Sequence, residues 1–361
     1  MGKLHKLHVQ GFKSISDQVF EFGPLNVFIG GNGAGKSNLV NVFHFLHRIA
    51  KQQLQAYTGE AGGANAILYL GRKKTKKLWL HIEFEGGTNI YEFELIPTDD
   101  DRFIFGDETT YYWNKSNFPY PGKDESWSGH TEARVVESKK PVASHVRQHL
   151  ESYRIYHFHD TSPSAQVKQT GDINDNRFLQ PDAGNLAAFL FWLQEVFPDH
   201  FKNIEDTVRQ VATFFKGFKL SPLALNQDKI RLEWEEKGSD AYFNASALSD
   251  GTLRFICLAT LLLQPKLPSL ILIDEPELGL HPVAIQVLAG LLQYAATRTQ
   301  LIVATQSVTL INQLEPEHIW TVDRHEGQSV FRHLKEAEMS AWLEDYSLGE
   351  LWEKNVLGGR P

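Results

Sequence analysis

The sequence predicts an α/β protein with a partly parallel core sheet, an antiparallel β subdomain and a small helical lobe, and three observations carry that prediction. Purely apolar runs at residues 25–29 (LNVFI), 269–273 (SLILI) and 301–304 (LIVA) read as buried strands, with helical periodicity between them. A glycine-rich run, GGNGAGKS at 30–37, separates the first of these strands from the first helix. Alternating segments between 78 and 95 flank Gly86 and Gly87, as in an antiparallel hairpin.

In chain order, residues 4–9 and 19–22 are short strands leading to the glycine-rich turn. From Asn38 to about Ala50, Leu39, Val42, Phe43, Leu46 and Ile49 recur at helical spacing. Residues 97–141 are rich in Asp, Gly, Pro and aromatics and are expected to be an irregular β extension, with short strands at 103–105 and 109–113. Two helical patterns within 185–218, broken at Pro198, make the lobe, which lacks the sustained heptads of a long coiled coil. A strand-like IRLEWEE follows, then helices over 249–263 and 284–296. The division expected is one domain, 1–361, with its core at 1–50 and 245–340, β extension at 66–160, lobe at 185–220 and tail at 341–361.

With 36 Lys and Arg against 44 Asp and Glu, the net charge of −8 argues against a generally polyanion-binding surface, so any nucleic-acid contact must be a local patch. The one cysteine, Cys257, lies in an apolar stretch, which excludes a disulfide framework and a zinc-finger spacing. The amino-terminal run has no apolar h-region and no stretch has the length of a spanning helix. A soluble, cytoplasmic protein with no membrane contact is expected.

GGNGAGKS satisfies G-x-x-x-x-G-K-[ST] between a strand and a helix, the context in which that motif cradles phosphates. Backbone N–H groups of Asn32, Gly33, Ala34, Gly35 and Asn38 would face phosphate oxygens, Lys36 would reach the β and γ phosphates, and Ser37 would ligate magnesium. The run 269–282, SLILIDEPELGLHP, ends a buried strand in two carboxylates. Asp274 is placed to support the magnesium and Glu275 to orient or deprotonate water. LSDGT at 248–252 opens a helix. Ser249 and Gly251 could form an anion site there, and Asp250 could equally be a plain N-terminal cap.

Taken with GFKS at 11–14, these motifs resemble the ATP-binding-cassette-type ATPases of the SMC, RecF and OLD group. The resemblance covers roughly the first 50 and last 115 residues, and it implies an ABC-ATPase head that binds ATP with Mg2+. It further implies a homodimer in which Ser249 and Gly251 of one subunit close on the γ-phosphate held by the other. More narrowly, DEPELGLHP, ATQS and the tail WLEDYSLGELWEKNVLGG are similar to small standalone predicted ATPases linked to mobile-element or phage-defence functions. The OLD nucleases append a Toprim domain, for which residues 308–361 leave no room, so a nuclease or other effector is expected on a separate chain. Many cassette ATPases place a histidine where this chain has Gln306. Glutamine can accept from water and donate to phosphate but cannot carry positive charge, so Glu275 is expected to be the principal base and hydrolysis to be slow. The alternative that Gln306 merely satisfies a strand end stays open. Gln52, Gln53 and Gln55 lie near the end of the first helix, and none is assigned as the glutamine-loop residue.

GRKKTKK at 71–77 places Arg72, Lys73, Lys74, Lys76 and Lys77 together, either as a DNA-facing patch or as a solvated turn. His157, His159 and Asp160 in YHFHD invite a metal reading, with a structural strand as the favoured alternative. Trp342, Tyr346, Leu351 and Trp352 would anchor a partner or pack the tail on its own core. The function expected is an ATP-switched dimeric ATPase acting on nucleic acid or a separate effector. The alternatives are the nucleotide-binding subunit of a membrane transporter and, less favoured, a small-substrate phosphotransferase.

Overall fold

Alternating burial along β1 (Leu4–Phe12) and β2 (Ile15–Glu21) starts an antiparallel sheet, and β3 (Leu25–Ile29), buried at every position, leads away from it. The computed structural model describes residues 3–359; residues 1, 2, 360 and 361, which the sequence reading placed in the core and the tail, lie outside the described residues. The chain packs as two units, Met1–Ile155 with Pro268–Leu272 and Glu315–Pro361, and Tyr156–Leu267 with Ile273–Leu314.

In the first unit α1 (Lys36–Ala50) buries Leu39, Val42, Phe43, Leu46 and Ile49, the stripe its spacing predicts. Short helices α2 (Leu54–Glu60), α3 (Ala64–Ile67) and α4 (Gly71–Lys74) lead to β4 (Leu78–Phe84) and β5 (Asn89–Pro97), the hairpin expected about Gly86 and Gly87. β6 (Phe103–Tyr112) and β7 (Gly122–Trp127) extend the same sheet to the order β2-β1-β4-β5-β6-β7. Where the sequence suggested two short strands in an irregular extension, β6 is one continuous strand. Its apolar alternation is interrupted by Glu108, which is fully buried and accepts hydrogen bonds from the Tyr91 hydroxyl (2.7 Å), the Arg134 N–H (2.8 Å) and the Val135 N–H (3.1 Å) and pairs with His130 (2.7 Å).

A second correction falls in the same stretch. α5 (Pro141–Ser152), read as part of the β extension, is a helix with proline in its first turn, burying Val142, Val146 and Leu150 against β5, β6 and α1. β8 (Tyr153–Tyr156) closes the segment.

The second unit contains the short β9 (Gly171–Asp172), then α6 (Leu186–Val196) and α7 (Pro198–Val211). Pro198 starts α7 at its first turn rather than merely breaking a helix, and the end of the expected helical run, Phe215–Phe218, is the strand β10. IRLEWEE divides between β11 (Lys229–Ile230), which pairs with β9, and β12 (Glu233–Glu236), which lies between β10 and β13 (Tyr242–Asn244). α8 (Asp250–Leu263) packs against α7 and, beyond β14 (Leu270–Asp274), against α9 (Pro282–Ala296). β15 (Gln300–Thr305), buried throughout, ends in the short α10 (Val308–Ile311).

The chain returns to the first unit with β16 (Ile319–His325), parallel to β3, and β17 (Gln328–His333), antiparallel to β16. α11 (Glu336–Leu343) and α12 (Leu348–Glu353) finish the described chain. Leu351 and Trp352 are fully buried, and the Trp352 indole donates to the Gly359 carbonyl, whereas Trp342 is 46% exposed. The tail therefore divides its aromatics between its own core and solvent. Among the described residues no helix is long and apolar enough to cross a membrane.

Candidate functional site

The phosphate loop of the first unit is held by side chains far away in sequence. Gly35 caps α1 at φ 123°, where a side chain is strained, and a Cβ there would lie 1.9 Å from the Ser329 hydroxyl. That hydroxyl donates to the Ala34 carbonyl at 2.6 Å. Having one proton, it must accept from Ser14, 2.6 Å away, which in turn accepts from the Asn38 amide at 2.6 Å. Arg324 adds a bond to the Gly33 carbonyl at 3.2 Å. Asn32, Gly33 and Ser37 are exposed on this frame. The Lys36 ammonium is buried, donating to the carbonyls of Gly30 (2.5 Å) and Gly31 (3.2 Å). Ser14 belongs to the GFKS turn, where Lys13 takes φ 48° and partial burial lowers its ammonium pKa. Ser329 and Arg324 had no signal in the sequence, whose last expected strand lies at 301–304; β16 and β17, which carry them, are a correction to that reading.

In the second unit, β14 delivers Asp274 at its end and Glu275 follows in a left-handed turn, φ 43°. The Glu275 N–H donates to the Ala304 carbonyl at 2.8 Å, which fixes this turn against β15. Gln306 then donates from its amide to the Glu275 carboxylate at 2.8 Å. The backbone of Gln306 is itself placed by a residue the sequence reading did not single out: Glu277 accepts from the Gln306 N–H at 3.1 Å and the Thr305 hydroxyl at 2.5 Å. Burial raises the Glu277 carboxyl pKa above its ordinary value, against the pull of those bonds.

Ser249 is the cap of α8, accepting from the Thr252 N–H at 3.2 Å. Asp250, the capping alternative, is instead the first helical residue, 3.5 Å from the Lys168 ammonium. Ser249 and Asp250 are exposed. A Cβ on Gly251 would lie 2.4 Å from the Gly279 carbonyl, so the chain needs glycine there for its own packing. One turn on, Arg254 donates to the carbonyls of Phe158 (3.1 Å), His159 (2.8 Å) and Leu278 (2.9 Å), tying α8 to the turn after Glu275.

His157, His159 and Asp160 lie beyond the end of β8, not on a strand, and His159 donates a ring N–H to the Asp274 carbonyl at 2.9 Å. Burial lowers the His157 pKa, partly offset by the charge of Asp274. The first of these corrections removes the alternating-strand argument for a metal; the second gives His159 a backbone to support. Gln52 bonds Glu137 (3.1 Å) and Gln55 bonds the carbonyls of Phe103 (2.9 Å) and Thr131 (2.7 Å), so both amides are engaged within the first unit. In the basic run, Arg72 faces Asp99 (3.8 Å) and Lys77 pairs with Glu94 (2.6 Å), while Lys73, Lys74 and Lys76 are exposed and have no acidic partner among the described residues. Burial pushes the Cys257 thiol up to about 12, as befits a core residue.

The family described as "AAA domain, putative AbiEii toxin, Type IV TA system" matches residues 25–312. The chain belongs to this family. No curated protein matches the chain. An SMC head bound to the C-winged helix domain of ScpA has a similar fold, at TM-score 0.62 and 17% identity over 93% of this chain and 99% of that one. So has an SMC head domain with an extended coiled coil, bound to the C-terminal domain of ScpA and derived from Pyrococcus furiosus, at TM-score 0.61 and 16% identity over 96% and 99%. This AAA-family chain is thus an α/β P-loop ATPase with the fold of an SMC head, and nucleotide binding follows from its family.

Proposed function

We propose that this AAA-family ATPase hydrolyses Mg-ATP slowly, as an ATP-held homodimer that switches a separate effector or nucleic acid. The observation that carries the reading is the 2.8 Å bond from Gln306 to Glu275, which sets a neutral donor beside the residue suited to act as base. A water bound beside this pair, against the Glu275 carboxylate, would be oriented by the glutamine and deprotonated by the glutamate. In this reading the N–H groups of residues 32–35 and 38 and the Lys36 ammonium hold the phosphates; the ammonium gives up its carbonyl bonds to do so, and the Ala34 and Asn38 N–H groups share or give up those they make to the Gly31 (3.2 Å) and Gly35 (3.0 Å) carbonyls. The Ser37 hydroxyl and the Asp274 carboxylate are hard oxygen donors of the kind magnesium takes, and the ion would neutralise phosphate charge. Ser249 and Gly251 serve the partner's nucleotide, supported by the exposure of Ser249 at the start of a long helix.

A second protein as the object of the switch is supported by the solved SMC heads, each bound to part of ScpA, and by the "Type IV TA system" in the family's description. Phage defence rests on the resemblance of the motifs alone. The three exposed lysines without an acidic partner among the described residues favour a weak phosphate contact over the five-residue patch the sequence suggested, and the salt dependence of DNA binding would then have a log–log slope of about −2.7. Sedimentation of Glu275→Gln with and without ATP tests the central reading. ATP should convert monomer to dimer, and Ser249→Arg in the same background should abolish the conversion; a species that sediments alike with and without ATP contradicts it.

A further inference from the structure

Helix α5 carries His145 and His149 four residues apart, so both rings leave the same face, with centroids 4.2 Å apart. The turn between β4 and β5 brings Glu85 to them, one carboxylate oxygen lying 3.6 Å from His145 Nε2. With one ligand atom from each, the three side chains converge to within 4.8 Å of one another. All three residues belong to the first unit, and none has a part in the nucleotide chemistry.

His149 is 2% exposed, and among the described residues neither of its ring nitrogens has a hydrogen-bond partner; the buried Nε2 of His145 lacks one as well. Unsatisfied nitrogens in a core are costly, and a leucine or phenylalanine would fill the same space without that cost. Glu85 is held in a left-handed conformation, φ 53°, and its second carboxylate oxygen accepts from the Asn89 amide at 3.2 Å, as the outer oxygen of a metal-bound carboxylate commonly does.

We propose that Glu85, His145 and His149 form a binding site for a divalent transition metal of the zinc type, clipping α5 to the β4–β5 turn. Two imidazoles at helical i, i+4 spacing plus one carboxylate is a donor set that zinc accepts, with a remaining position for water. Tetrahedral zinc bonds of about 2.0–2.2 Å put ligand atoms about 3.3–3.6 Å apart, so atoms spread over as much as 4.8 Å must draw together by up to about 1.5 Å, which rotation of the partly exposed Glu85 and His145 side chains supplies.

The test is titration of the full-length protein, first stripped with chelator, with Co2+ followed by visible absorption, and then displacement with Zn2+. One Co2+ per chain with a ligand-field band is expected, with Zn2+ abolishing the band and raising the melting temperature. Glu85→Gln and His145→Gln should each weaken Co2+ binding at least about tenfold while melting like the wild type in chelator. His149 is left intact, because replacing so buried a ring confounds binding with folding. Absence of the band, or a band that survives both substitutions, overturns the proposal.

Discussion

The phosphate loop is a backbone device whose shape is fixed by hydroxyls from Ser14 and Ser329, whereas the end of β14 depends on side chains, Glu275 and Gln306, the second of which Glu277 sets in place through its N–H. The first arrangement tolerates little change in the loop and much in what surrounds it; the second concentrates its chemistry in two groups and its precision in a third. A backbone cradle leaves a motif of fixed spacing in the sequence. A side-chain cradle leaves only the residues that end each strand.

Substitutions at the two cradles should fail differently. Glu275→Gln removes a base and should lower turnover by roughly 10²–10⁴-fold while leaving ATP affinity near wild type. Lys36→Ala should lose affinity and turnover together, measured by nucleotide titration beside phosphate release. If both variants lost affinity equally, the contrast between cradle and chemistry would fail. Glu277→Ala should cost less, about tenfold in turnover, together with about 1–3 kcal/mol of stability from the orphaned Thr305 hydroxyl and Gln306 N–H. Chemical denaturation beside the turnover assay separates those two effects. Gly35→Ala should weaken nucleotide binding through its clash with Ser329, and Ser329→Gly should recover part of the loss by removing the clashing hydroxyl. A double variant no better than Gly35→Ala alone would show that the positive φ, not the contact, sets the requirement.

The smallest effect concerns the sheet of the first unit. Burial tends to lower the His81 pKa, but hydrogen bonds to Glu83 and Glu92 outweigh it and raise the value to about 9. A raised folded-state pKa stabilises fully below the unfolded value near 6.5, and the contribution disappears as pH rises through about 9. Wild type should therefore lose a few degrees of melting temperature relative to His81→Gln between those limits.

Much of this was legible in the sequence for identifiable reasons. α1 and the three apolar strands are written in periodicity and run length, and the hairpin at Gly86 and Gly87 in its turn residues. The continuous β6 was hidden because a buried charge, Glu108, sits where alternation demands an apolar residue, its partners being as distant as Arg134 and Val135. α5 was hidden by the reverse problem: its polar residues include His149, which is buried, so its apolar stripe looked too thin. At the candidate site, the Asp274–Glu275 pair announced itself, but Glu277 reads as an ordinary loop carboxylate until Thr305 and Gln306 fold onto it.

The claim that the motifs of two subunits combine is tested most directly by mixing two inactive variants. Lys36→Ala keeps Ser249 and Gly251 but loses its phosphate lysine; Ser249→Arg keeps the lysine but loses the surface offered to its partner. Each alone should show background turnover. Mixed in equal amounts, half of the dimers should pair the two, each with one intact composite site, and turnover should rise to about a quarter of wild type on statistical pairing. A mixture no more active than its components, with both variants folded and Ser249→Arg still binding ATP, would contradict the shared site.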